Sequence, residues 1–272
     1  YIHFLFDLAR ALSDGLGSLG HDSVISLNRM DPSRINVLVA SHTLTRKEDV
    51  AQIIASGVPY VVQQSEVIRD NQVNLQGDTE HYTECYLPLL KGALACWEAL
   101  PDQVPILQAA GVRASWARLC HQPSLEDIRH KNRKDLDFLF YGSVSDHRLK
   151  MLKGLRAQGA EVAYLFDGSR VYRNDLIARA RVHLAPRRAA DMHHLAYWRL
   201  GYLAGNGCVT VVERCQDQGW MEDCFIHGET DDWIDLCLST LARPDLEELG
   251  RTFQERYRRH SMKDVLEALV SD

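Results

Sequence analysis

His42, in the stretch INVLVASHT, and Glu66, in VPYVVQQSE, each stand just past a run of apolar, β-branched residues. An imidazole or a carboxylate in such a place can take the proton of a hydroxyl nucleophile. Each can equally cap the helix that follows, with Thr43 available for the same role. The second half of the chain carries a different set. Gly142-Ser143 closes the apolar run LDFLFY and precedes a helical pattern. Backbone N–H groups, a hydroxyl and the positive end of a helix would there receive an anion, or form an ordinary strand-to-helix turn. Arg148 lies on that helix, and Arg187-Arg188 follow another apolar run, RVHLA. Fixed guanidiniums stabilise negative charge building on a leaving group without a metal. Lys150, beside Arg148, reads as a solvated surface cation. His193-His194 and Arg199 share one helical pattern, and Glu213 closes the run CVTVV. His194, Arg199 and Glu213 offer polar contacts to hydroxyls or phosphates, while a satisfied, partly buried imidazole is the competing reading of His194.

Two apparent metal sites are set aside. Asp135-Leu136-Asp137 has the spacing of two carboxylates that hold a metal-bound diphosphate, but it precedes a strand and so falls at the wrong end of a sheet. Cys208, Cys215, Cys224 and His227 match no compact zinc module and read as free structural thiols. No metal or other cofactor is expected.

The elements that must position these residues alternate. FLFDLARALSDGLGSLG reads as a helix stopped at Gly20, SVISLNR and INVLVASH as strands, TRKEDVAQIIASG as a helix and VPYVVQQSE as a strand. HYTECYLPLLKGALACWEAL reads as a longer helix interrupted near Pro88, followed by the short helix PILQAAG and the strand VRASWARLC. After the polar segment 121–135, read as a linker, LDFLFYGS opens a second series of strands and helices, and the chain beyond CVTVVER reads as mostly helical. Repeated strand-helix-strand units predict two doubly wound α/β domains, at residues 1–125 and 126–272. In such folds ligands lie beyond the carboxyl ends of the strands. The residues to watch are therefore His42, Glu66, Gly142-Ser143, Asp167-Gly168, Arg187 and Glu213. The stretch RLGYLAGNGCVTVVER adds a tight helix-to-strand corner at Gly207, where glycine permits a close backbone turn.

Composition narrows the classes. The 272 residues, 46% apolar and 25% charged, are enough to bury a sizeable core, and the net charge of −6 argues against an extended nucleic-acid surface. Seven cysteines without a CxxC pair point to a reducing, cytoplasmic setting rather than a disulfide framework. No apolar run is long enough for a transmembrane helix. The chain opens on Tyr1, which leaves room for a further strand upstream.

The combination FLFYGS…HRLKMLKGLRAQGAEV, YRNDLIARARVHL and RLGYLAGNGCVTVVE resembles the nucleotide-sugar-binding domain of GT-B glycosyltransferases, above all compact bacterial members. The resemblance spans about residues 136–240; the first half resembles an acceptor domain only in the order of its elements. It implies two Rossmann-like domains facing a cleft and transfer of a sugar from a nucleotide-sugar donor to an unidentified acceptor. It further implies that the Gly142-Ser143 turn approaches the donor diphosphate, that Arg148 helps to neutralise it, and that Tyr172 flanks the nucleobase. Many members carry an acidic residue five positions before the corner glycine; here that position is Tyr202, so Arg199, His194 or Glu213 would supply the polar contacts. A non-catalytic nucleotide-binding protein on the same scaffold and a sugar-nucleotide epimerase or hydrolase are the alternatives.

Overall fold

The computed structural model describes residues 2–73, 79–166, 168–192, 194–215 and 219–271. Asp167 and His193 lie outside them. The elements run α1 (Ile2–Ser18), β1 (Asn36–Val39), α2 (Lys47–Ala55), β2 (Tyr60–Gln64), β3 (Ile68–Arg69), β4 (Gln72–Val73), α3 (Leu87–Gly92), β5 (Cys96–Glu98), α4 (Gln103–Ala109) and β6 (Ala114–Trp116). They continue with β7 (Leu136–Tyr141), α5 (Asp146–Ala157), β8 (Val162–Leu165), α6 (Arg170–Arg179), β9 (Ala180–Ala185), α7 (Tyr197–Gly205), β10 (Thr210–Glu213), β11 (Ile226–Gly228), α8 (Trp233–Leu241), α9 (Leu246–Arg258) and α10 (Met262–Ser271).

The chain forms two compact units, one of Tyr1–Ala11 with Cys120–Ser261, the other of Leu12–Leu119 with Met262–Asp272. The division therefore falls between Leu119 and Cys120 rather than after residue 125, and both chain ends join the unit that sequence order does not assign them to. Residues 121–135, read as a linker, are tied into the first unit. Asn206 accepts from the Ile128 N–H at 2.9 Å and donates to the Leu125 carbonyl at 2.9 Å, and His130 bonds the Asn206 carbonyl at 2.7 Å. Their polarity reflects these bonds as much as solvation.

In the unit holding β7 to β11 the strand order is β8-β7-β9-β10-β11, and every pair is parallel. This is the flavodoxin-like doubly wound order, whose direction reverses between β7 and β9. Helices α5 and α8 pack on one face of the sheet, α6 and α7 on the other. Phe138, Phe140, Leu152, Leu155, Val182, Val211 and Trp233 form the core between the sheet and α5 and α8. β7 and β9 are buried almost throughout, which explains their near-continuous apolar sequence.

The other unit has the parallel order β1-β2-β5-β6. Val62, Tyr86, Leu89, Leu90, Cys96 and Leu107 form its core. SVISLNR is not a strand: residues 21–35 carry no regular element, Val24 and Leu27 are exposed, and turns pinned by Asp31 and Arg34 take the backbone bonds. The long pattern around Pro88 is a π-helical turn at His81–Tyr86 followed by α3, because Pro88 has no N–H to continue the ladder. That helix stops at Gly92 and CWE becomes β5, three residues buried on both faces with no alternation to betray them. β11, three half-buried residues, shows no alternation either, and β3-β4 is a two-residue hairpin turning through Asp70 and Asn71 at φ 53° and 57°.

Candidate functional site

The switch point between β7 and β9 collects most of the second-half candidates. β7 ends at Tyr141 and hands over to Gly142, whose φ of 144° suits glycine. A Cβ there would lie 2.5 Å from Arg199 Nη1, so the missing side chain makes room for a guanidinium. Arg199 reaches across from α7 and donates to the Tyr141 carbonyl at 3.1 Å, while the Tyr141 hydroxyl donates back to the Arg199 carbonyl at 3.3 Å. Arg148 comes from the first turn of α5, which Ser145 caps. It donates to the Ser143 carbonyl at 2.8 Å and hydroxyl at 3.3 Å and to the Pro186 carbonyl, just past β9, at 3.0 Å. Both guanidiniums lie over the ring of Phe140, at 5.2 Å for Arg148 and 5.4 Å for Arg199.

Both are buried, and their bonds among the described residues go to neutral oxygens. Burial, with Arg199 and Arg188 nearby, pulls Arg148 down to about 9, and burial likewise holds Arg199 below the usual arginine range. The Arg199 Nε–H has no partner among the described residues. Two buried cations without a bonded carboxylate are costly unless an anion joins them.

Arg187 is held otherwise. Its N–H donates to Glu213 Oε2 at 2.7 Å, and its Nη2 donates to Glu213 Oε1 at 3.1 Å and to Thr230 Oγ1 at 2.6 Å. Glu213, at the end of β10, also accepts from Thr230 at 2.7 Å and pairs with His147 Nε2 at 2.8 Å. Burial pushes its carboxyl up, but the bonds from Thr230, His147 and the Arg187 N–H outweigh this and hold it below the usual range. Glu213 is thus the fixed hub that orients Arg187 and His147. His147 and Thr230 escaped sequence reading. A β-strand glutamate was visible, but nothing local tied it to residues 66 and 17 positions away.

The remaining second-half candidates stand apart. Tyr172 is exposed on the first turn of α6, its N–H bonded to the Ser169 cap at 3.2 Å. Tyr202 is buried, donates to Asn174 Oδ1 at 3.0 Å and carries Arg173 over its ring at 4.4 Å. Arg173 in turn pairs with the fully buried Asp7 at 2.7 Å, so Tyr202 belongs to an ion-pair network that fastens α1. His194 is half-buried just before α7. Asp135 and Asp137 pair with Arg179 and Arg181. All seven cysteines are free, buried thiols, and among the described residues no three metal-ligating side chains assemble.

In the other unit His42 and Glu66 come together at the carboxyl ends of adjacent strands, with His42 Nε2 3.9 Å from Glu66 Oε1. Ala40, at φ 61°, takes the left-handed conformation that turns the chain out of β1 into the short turn bearing His42. For alanine this stores local strain of about 1–2 kcal/mol. Burial, with His81 nearby, lowers His42 to about 4. The imidazole is therefore neutral at pH 7 and able to accept a proton.

A comparison with protein-family models finds no match, and one with curated proteins finds none. Solved structures do match. An α,α-trehalose-phosphate synthase (UDP-forming) from Burkholderia xenovorans has 11% identity and a TM-score of 0.54 over 82% of this chain and 70% of its own, in a complex with glucose-6-phosphate. A second structure of a UDP-forming α,α-trehalose-phosphate synthase from that organism matches at 10% identity and TM-score 0.54 over 98% of this chain and 77% of its own. The enzyme from Burkholderia vietnamiensis matches at 9% identity and TM-score 0.53, over 82% and 68%. The fold is that of the GT-B glycosyltransferases. At these identities the likeness concerns the fold alone, and the GT-B scaffold gains its chemistry only from the residues described above.

Proposed function

We propose that this protein is a glycosyltransferase that binds the diphosphate of a nucleotide-sugar donor at the β7–β9 switch point and passes the sugar to a hydroxyl or other nucleophile. The observation that carries this reading is the pair of buried guanidiniums, Arg148 and Arg199, whose bonds among the described residues leave their charge unmatched. A diphosphate supplies the missing charge, and the same cations then stabilise it as the leaving group, which gives transfer without a metal. Gly142 and Ser143 bring backbone close to the bound phosphates, and Tyr172 flanks the base. His42, neutral and paired with Glu66, takes the acceptor's proton in an inverting transfer. Free thiols throughout suit a cytoplasmic setting.

Isothermal titration with UDP, GDP, dTDP, ADP and CMP, with and without divalent metal, tests the donor half. UDP comes first because the matched trehalose-phosphate synthases are UDP-forming. Metal-independent binding of one diphosphate, lost in Arg148→Ala and Arg199→Ala, supports the reading. Absence of binding by every nucleotide overturns it.

A further inference from the structure

The carboxamide of Gln64, the last residue of β2, is fully buried and holds the backbone that follows it from both sides. Its Oε1 accepts from the Ser65 N–H at 2.8 Å and from the Glu66 N–H at 3.0 Å, and its Nε2 donates to the Glu66 carbonyl at 2.6 Å. Glu66 thus has both of its backbone polar groups bound to one side chain, at a point where the sheet ladder has ended. The carboxamide has only one orientation that makes these bonds, because Oε1 must face the two N–H groups. The hydroxyl of Tyr86, itself buried, donates to the same oxygen at 2.9 Å and opposes a flip. Glu98, opposite Gln64 in the register of β5, is also buried; burial pushes its carboxyl well above the usual range, and a hydrogen bond from the Gln64 side chain acts in the opposite direction.

We infer that Gln64, oriented by Tyr86, is the positioning residue that sets Glu66 against His42, and that the geometry of that pair depends on this clamp rather than on the sheet. A side chain that served only to fill the core would not need to satisfy three donors and one acceptor of the next two residues and a tyrosine. The strained Ala40 turn presents His42 from β1, and the Gln64 clamp presents Glu66 from β2; the 3.9 Å approach requires both. The inference rests on the reading of His42 as the acceptor's base.

The test uses the full chain and centres on Gln64→Leu and the volume-conserving Tyr86→Phe, which keeps the protein folded should the first fail. Amide hydrogen exchange reads the clamp directly: Ser65 and Glu66 are protected in the wild type and lose at least tenfold protection in either variant. Transfer kinetics read its purpose. Tyr86→Phe lowers kcat severalfold with the donor's dissociation constant unchanged, and in a Glu66→Gln background it lowers kcat no further, because the two changes act through one group. Gln64→Glu, which keeps the acceptor oxygen, retains more activity than Gln64→Leu. Unchanged protection in Tyr86→Phe, or losses in kcat that simply add, would overturn the inference. A wild type that transfers no sugar while the exchange results hold overturns the transferase reading and leaves the clamp in place.

Discussion

Arg148 and Arg199 share the ring of Phe140 and lack a bonded carboxylate among the described residues, so removing either should have opposite effects on binding and on folding. A hydrogen bond to a charged ligand group contributes about 1.5–3 kcal/mol, which is about 10- to 100-fold in affinity. Arg148→Ala and Arg199→Ala are each expected to weaken nucleoside-diphosphate binding by that factor in titration calorimetry. The unliganded proteins should melt no lower than the wild type, because each change also removes a buried, uncompensated charge. Glu213→Ala should behave differently. Its loss frees Arg187 and His147 together and leaves a buried guanidinium unpaired, for an expected destabilisation of about 3–5 kcal/mol in urea denaturation. Gly142→Ala isolates the backbone. Its Cβ would press on Arg199 Nη1 at a φ of 144°, so both stability and diphosphate affinity should fall, each by about 1–2 kcal/mol. Gly142 and Arg187 were legible in sequence because they follow strands, Arg148 because it opens the helix after Gly142-Ser143, and Arg199 because it lies on the helix before the Gly207 corner. The division between unmatched Arg148 and Arg199 and the neutralised Arg187 was not, because the hub Glu213 meets its partners only through the sheet order.

The corner at Gly207 has its explanation among elements rather than residues. Gly207 ends α7 at φ 67° and its carbonyl faces Gly250 of α9, where any Cβ would collide with that backbone oxygen. Along the same side of α7, Gly201 and Gly205 leave space for the ring of Tyr257, and Gln254 donates to the Gly205 carbonyl at 2.7 Å. Three glycines therefore let α9 lie close against α7, and the position of α7 fixes where Arg199 enters the switch point. Gly250→Ala, far in sequence from every site residue, is expected to cost about 1–3 kcal/mol of stability and to weaken diphosphate binding through Arg199. Thermal melts and calorimetry on one protein sample check both. Sequence periodicity revealed α7, Gly207 and β10 correctly because each is a local signal. It could not reveal the α7–α9 pairing, nor β5 and β11, because strands of three residues are too short to show a period, and their existence depends on neighbours contributed from elsewhere in the chain.

Across the whole molecule, buried titratable groups set how stability follows pH. Burial, with Lys134 and His130 nearby, takes His183 of β9 down to about 3, and His42 in the other unit is at about 4, against an ordinary value of 6.5. A histidine whose folded value is depressed favours the folded state above its unfolded value, and that contribution is lost as pH falls from about 6.5 toward 4, since the unfolded chain then binds the proton first. Glu98 has the opposite sign. Burial raises its carboxyl well above 4.5, so the folded state keeps a proton that the unfolded chain releases, and stability declines as pH rises through that interval. The two effects belong to different residues and are separable. His183→Leu abolishes one acid-sensitive group, and its stability relative to the wild type should improve by about 2 kcal/mol between pH 7.5 and pH 5, the linkage expected for a proton taken up 1.5 pH units below an unfolded value near 6.5. Glu98→Gln retains an oxygen for the Leu100 N–H, which Glu98 Oε1 accepts at 2.8 Å, but cannot ionise. Its advantage over wild type should therefore grow from pH 4.5 upward, in the range where that of His183→Leu is shrinking. Urea titrations of the three proteins at pH 5, 6 and 7.5 decide the matter: parallel curves for Glu98→Gln and wild type would mean that the buried carboxyl is ionised in the fold, against the environment that surrounds it.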